Sequence, residues 1–229
     1  MAGLGALSIM PFSPLAGRTL VGVRGVLDRE LVRSLPGDAQ ITVTRSWLIA
    51  FEDGGAGRMF VSGQQIGAKV DAPAPLQALA RMEAARDESD LFPLDLDPAG
   101  QIMEDAHEAT PAPLPSEVAA SALAFARARD TTANPDEASR RFLADLSQHA
   151  EKWITGLPAD LFYPDPRNRE VTREVVLPDG TTGTITMREI VKTADATGLL
   201  ESYRREASAM AGNAAKTGSE TWTLFPAVS

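Results

Sequence analysis

The sequence predicts an α+β fold: antiparallel β-meanders at both ends of the chain form a curved sheet, and two to three helices from the middle pack on one face. Three observations predict it. Apolar residues recur with period two around Ile41–Phe51 and again from Arg169 onward, separated by Asp/Gly-rich turns at hairpin spacing. Between these regions the period lengthens toward 3.6, behind helix-start signals. Strands and helices are grouped rather than alternating, which is the layout of segregated α+β proteins and not of a parallel α/β sheet.

In chain order, Leu20–Val32 is a β-prone run expected to pair beside the next strand. In Ile41–Phe51, the side chains of Ile41, Val43, Trp47, Ile49 and Phe51 share one face, with Thr42, Thr44 and Ser46 on the other. Asp53-Gly54-Gly55-Ala56-Gly57 makes a turn, and Arg58–Val70 is the return strand. Pro73 and Pro75 introduce a short helix through Leu76, Leu79 and Met82. Leu91–Asp97 and Gln101–Asp105, joined at Asp97-Pro98-Ala99-Gly100, form a second small hairpin, and Thr110–Pro115 is a stiff Pro-rich linker.

A helix capped by Ser116 carries Val118, Ala122, Phe125 and Ala126 on one stripe. Another starts at Asn134-Pro135-Asp136-Glu137, presents Phe142, Leu146, His149 and Trp153, and stops at Gly156 and Pro158. Four strands follow, from Arg169 to Leu177, through Ile185–Val191, Leu199–Met210 and Thr217–Phe225. Residues 1–17 are read as an apolar tail or the remnant of an export signal. Residues 18–229 are read as one domain that holds an acidic hairpin and Pro-rich linker over 87–115.

Composition removes whole classes of function. With no Cys, the 229-residue chain has no disulfide, thiolate nucleophile or Cys-ligated metal. Its two histidines, His107 and His149, lie in unrelated contexts, so neither a multi-His metal site nor a Ser–His pair is supported. No apolar run approaches the ~20 residues of a membrane helix. The net charge of −9 argues against nucleic acid as a partner. That charge is concentrated: Asp87–Ala126 holds nine acids and no Lys or Arg, while the remainder balances. The acidic stretch over 87–117 reads either as a solvated surface or as a dock for a basic protein partner.

Charges on otherwise apolar strand faces are the remaining signal. Arg45 sits on the Val43/Trp47 face, Arg173 on the Val171/Val175 face, Glu189 on the Ile185/Met187/Val191 face, and Glu201 and Arg205 flank Tyr203. A charge facing inward must be paired or reach solvent. Either these strands lie near an edge, where Arg stems cover apolar surface, or the charges anchor a ligand in a cavity under the sheet. On the second reading Arg45, Trp47, Tyr203 and Arg205 bind ligand. No catalytic residue, metal ligand or cofactor is assigned.

The chain shows no family signature motif. Its layout, a twisted antiparallel sheet with mid-chain helices available to plug the concave side, resembles the general architecture of periplasmic lipid or lipoprotein carriers. That resemblance implies no particular site residues. The expected function is a non-catalytic binding or carrier protein for an apolar or amphiphilic ligand or a protein partner, periplasmic or otherwise exported, with the cytoplasm as the alternative. Two other readings stay open: a carboxylate-based enzyme using Asp95, Asp97, Glu189 and Arg205 on a cation- or sugar-like substrate, and a structural or assembly module.

Overall fold

A computed structural model describes residues 20–35, 39–103, 156–176, 182–211 and 214–227. Eight strands form one antiparallel sheet: β1 (Arg24–Leu35), β2 (Ala39–Gly55), β3 (Arg58–Asp71), β4 (Leu94–Leu96), β5 (Arg169–Val176), β6 (Thr182–Thr193), β7 (Leu200–Ala211) and β8 (Ala214–Pro226). Their order across the sheet is β4-β3-β2-β1-β8-β7-β6-β5. Each half is a meander, and the halves join where β1 pairs with β8, Arg29 opposite Trp222 and Leu27 opposite Leu224.

The α+β expectation is overturned. The described residues are mostly this one large sheet, with a single short α-helix, α1 (Gln77–Ala84), rather than two to three helices packed on it. Phe125, Phe142, Leu146 and Trp153, on the two helical stripes expected to cover the sheet, lie outside the described residues, as do His107 and His149. The visible cover is made of turns. Leu161 and Phe162 are fully buried on a turn segment, and Phe92 follows a 3₁₀ turn over Ser89–Leu91. The Leu200 N–H donates to the Phe162 carbonyl at 2.9 Å, and the Ile102 N–H to that of Ala159 at 2.7 Å. These bonds satisfy backbone that a helix would have paired internally.

The period-two pattern sets the inner face. Trp47, Ile49 and Phe51 of β2, Leu27 of β1, Val61 of β3, Leu94 and Leu96 of β4, and Trp222 and Leu224 of β8 form one buried cluster with Tyr203 of β7. Trp47 stacks on Trp222 (centroids 5.9 Å, planes 25° apart) and meets Phe92 edge-on, while Phe51 meets Phe162 edge-on at 5.2 Å. Such arrangements suit the aromatic quadrupoles.

Two glycines are required by this packing. A Cβ on Gly63 would sit 2.5 Å from the Phe92 ring. Gly100 has φ +83° in the Asp97–Gln101 turn, and a Cβ there would lie 2.3 Å from the Tyr163 ring. Gly100→Ala is therefore expected to destabilise by roughly 2–4 kcal/mol, combining left-handed strain with overpacking. A melt within 2 °C of wild type would refute that.

Candidate functional site

Charged side chains interrupt the inner face in a belt across β2, β1, β8, β7 and β6. A bulge in β3 helps to build it. Pairing shifts between Ser46 and Trp47, leaving Ile66 out of register, and Gln65 next to it holds the segment after α1. The Gln65 side-chain oxygen accepts the Glu88 N–H at 3.0 Å, and the Gln65 backbone N–H donates to Ser89 Oγ at 2.9 Å. Asp87 accepts from both the N–H and the hydroxyl of Ser89, which hold its carboxyl below the usual range. Thus fixed, Glu88 lies 3.5 Å from Arg45 and 3.9 Å from Arg29, and its carbonyl accepts the Trp47 indole N–H at 3.3 Å. Arg45, 4% exposed, also pairs with Glu83 of α1 at 2.8 Å.

Glu220 is the centre of the belt. It is 1% exposed, and one carboxylate oxygen accepts from Arg29 Nε at 2.7 Å and Nη2 at 2.6 Å. The other accepts from Arg205 Nη2, which also donates to the Gly156 carbonyl. The Arg29 guanidinium lies 5.1 Å above the Trp222 ring, and that of Arg205 lies 5.9 Å from the Tyr203 centroid. Farther along, the Tyr203 hydroxyl donates to Glu189 at 3.0 Å. Burial, and then the Glu189 carboxylate, push the Tyr203 hydroxyl well above its ordinary pKa.

The structure therefore brings Arg45, Trp47, Tyr203 and Arg205 onto one face, as the alternation implied, and buries all four. Arg45 and Arg205 have carboxylate partners, and Trp47 is sealed between Trp222 and Phe92. Glu201 and Arg173 are exposed. Of the residues offered for a carboxylate enzyme, Glu189 and Arg205 lie opposite each other on β6 and β7, but Asp95 and Asp97 do not join them. Asp97 caps its turn, accepting from the N–H groups of Ala99 and Gln101 at 2.8 and 2.9 Å. Asp95 lies on β4, and four strands separate β4 from the β7 of Arg205, five steps or roughly 24 Å at ordinary strand spacing.

Sequence reasoning missed Arg29, Arg33 and Glu220. Each sits at an inward position of its own alternation, with Leu27, Leu31 and Leu35 around the arginines and Trp222 and Leu224 after the glutamate. Arg33 differs from the other belt cations. What sets it apart is that no carboxylate among the described residues pairs with it; its Nε is shielded from solvent without a hydrogen-bond partner, as is that of Arg45. Around it, beyond the belt, the inner face carries half-buried Leu31, Leu35, Ile41 and Val43 on one flank and Ile185 and Met187 on the other. Gly218, Ala207 and Ala209 lie between them in register, a strip of small groups between the two aliphatic flanks.

The chain matches no family model and none of the curated proteins. Four chains of known structure match. One, described as "Lipid-protein interactions in lipovitellin", aligns over 90% of this chain at 11% identity with a TM-score of 0.36. This chain spans a quarter of that one. A superposition so loose carries no argument about fold or ligand.

Other surfaces are less inviting. The edge strand β5 is exposed, with Val176 at 71%, but Arg169, Glu170, Arg173 and Glu174 line it, a charge pattern that discourages strand addition. Within the acidic stretch, Asp87, Glu88 and Asp97 serve internal contacts. No helix among the described residues is long and apolar enough to cross a membrane.

The tyrosines report directly on this packing. Only Tyr163 and Tyr203 occur in the chain; burial raises the Tyr163 hydroxyl to about 12, and Tyr203 is raised further. Because both folded values exceed the unfolded value of about 10, their contribution to stability is complete below pH 10 and is lost as pH rises through the folded values. Absorbance at 295 nm is thus expected to stay flat through pH 10 to 11 and to rise with alkaline unfolding. A phenol titrating near 10 in the native protein would contradict this.

Proposed function

We propose that the chain is a non-catalytic binding module that carries an anionic amphiphile in a trough beyond the ion-pair belt, over the strip of Gly218, Ala207 and Ala209. The observation that carries the reading is Arg33, a half-buried cation with no carboxylate partner among the described residues, set among aliphatic and small side chains. A buried cation is costly unless an anion reaches it, and a carboxylate or phosphate head would do so while its chain covers Leu31, Ile41, Val43, Ile185 and Met187. The belt supports this role by position: Arg29, Arg45 and Arg205 are already paired, so they hold the sheet face rather than the ligand. An exported location belongs to the same proposal, and fractionation of cells expressing the native gene checks it.

The direct test is titration of the purified chain with 11-(dansylamino)undecanoic acid, whose emission rises on leaving water. Arg33→Leu is expected to weaken binding roughly tenfold through loss of one charge-assisted contact. Ala207→Trp, which fills the trough floor, is expected to abolish it. Absence of binding by the wild-type chain, or equal binding by both variants, would sink the proposal.

A further inference from the structure

The opposite face of the same sheet carries a second hollow, of about 460 Å³, built entirely from residues of β1, β2, β6, β7 and β8. Its size falls within the ~300–1,000 Å³ of small-molecule sites. Gly218 and short side chains on β7 and β8 leave the middle low, while Gln40, Arg188, Arg204 and Glu206 stand around it.

Its chemistry is that of hydroxyl groups. Ser34, Thr186, Ser208, Thr217 and Ser219 all line it, and Ser34 and Thr217 hydrogen-bond to each other at 2.5 Å across the β1–β8 seam. A hydroxyl both donates and accepts, so such an array matches partners that do the same. The charges present are neutralised in place. Arg204 binds Glu206 through Nε at 2.7 Å and Nη2 at 2.6 Å, and Arg188 binds Glu170 at 2.8 and 2.6 Å. In each pair a single carboxylate oxygen takes both contacts, which leaves the second oxygen of Glu206, the one of the two that lines the hollow, able to accept from a ligand hydroxyl. With its cations matched, the hollow offers no net attraction to a free anion, unlike the trough around Arg33. Val32 adds one apolar wall, suited to the C–H face of a ring.

We infer that this hollow binds a neutral polyhydroxylated ligand, a saccharide of about two rings. The site lies on the opposite face from the amphiphile trough: alternate side chains of the same strands form most of each, and the two share only Ala207 and Gly218.

The experiment is saturation-transfer difference NMR on the full chain, with cellobiose, maltose and chitobiose as separate probes. At least one disaccharide is expected to receive saturation from the wild-type protein. Ser208→Phe, which fills the hollow from a half-exposed position, should abolish the transfer while leaving dansyl-fatty-acid binding intact. Ser219→Ala with Thr186→Ala removes two hydroxyls without adding bulk and should weaken binding roughly fivefold, which keeps the test valid if Ser208→Phe misfolds. No transfer from any probe, or transfer unchanged in both variants, overturns the inference. So does displacement of the bound sugar by inorganic phosphate, which would make this an anion site.

Discussion

Glu220→Ala is expected to lower stability by about 3–5 kcal/mol, because it removes the carboxylate that bridges two guanidinium groups in the sheet's interior. The Glu220 side chain has no exposed surface, and Arg29 and Arg205 approach its two oxygens from neighbouring strands on either side. Without it, Arg205 loses the Glu220 carboxylate while keeping the Gly156 carbonyl, and Arg29 retains the longer contact to Glu88 at 3.9 Å. For a chain of this size the melting point should fall by roughly 10 °C. Glu220→Gln preserves volume and isolates the charge; it should show more than half of the loss. The double variant Glu220→Leu with Arg205→Leu should recover part of it, since an apolar pair can replace a buried ion pair at little cost. Urea unfolding of the four proteins measures these losses. A Glu220→Ala loss below 1 kcal/mol would mean that the belt is hydrated and not part of the core.

Trp47→Ala is expected to cost about 3–5 kcal/mol. The indole is completely buried, stacks on Trp222, meets Phe92 edge-on and donates to the Glu88 carbonyl. Its loss therefore opens a cavity and also loosens the segment that holds Glu88 over Arg45. Trp222→Ala should cost a similar amount, and the two losses should not add, because the rings share one contact. The midpoint in urea should drop while the slope is kept, and the near-ultraviolet circular dichroism of the stacked indoles should collapse in either variant.

The strands were legible because a pleated, one-sided sheet writes its faces into alternate residues. Ile41–Phe51 and Thr217–Phe225 declare their buried sides without reference to any partner. The same alternation placed Arg45, Trp47, Tyr203 and Arg205 on inner faces. What it could not supply was pairing at a distance. Arg29 meets Glu220 across 191 positions, and nothing local to either residue identifies the other. Glu88 was read as part of an acidic surface, since its role depends on a bulge in β3 and on Gln65 turning toward it. The helix-rich expectation failed for a related reason. Helical periodicity describes a segment and not what that segment packs on, and among the described residues Leu161, Phe162 and Phe92 cover the sheet from turns.

The seam between β1 and β8 sets an order of events during synthesis. β1 is complete by Leu35, but its neighbour does not leave the ribosome until Pro226 has been added. At ~5–20 residues per second the first half-sheet waits on the order of ten seconds or more with a row of backbone donors and acceptors unmatched. Asp28, Arg29, Glu30 and Arg33 stud that strand, and such charge keeps a nascent edge from recruiting a stranger. A chain halted before β8 would keep that edge open indefinitely, turning a brief vulnerability of translation into a template for clumping.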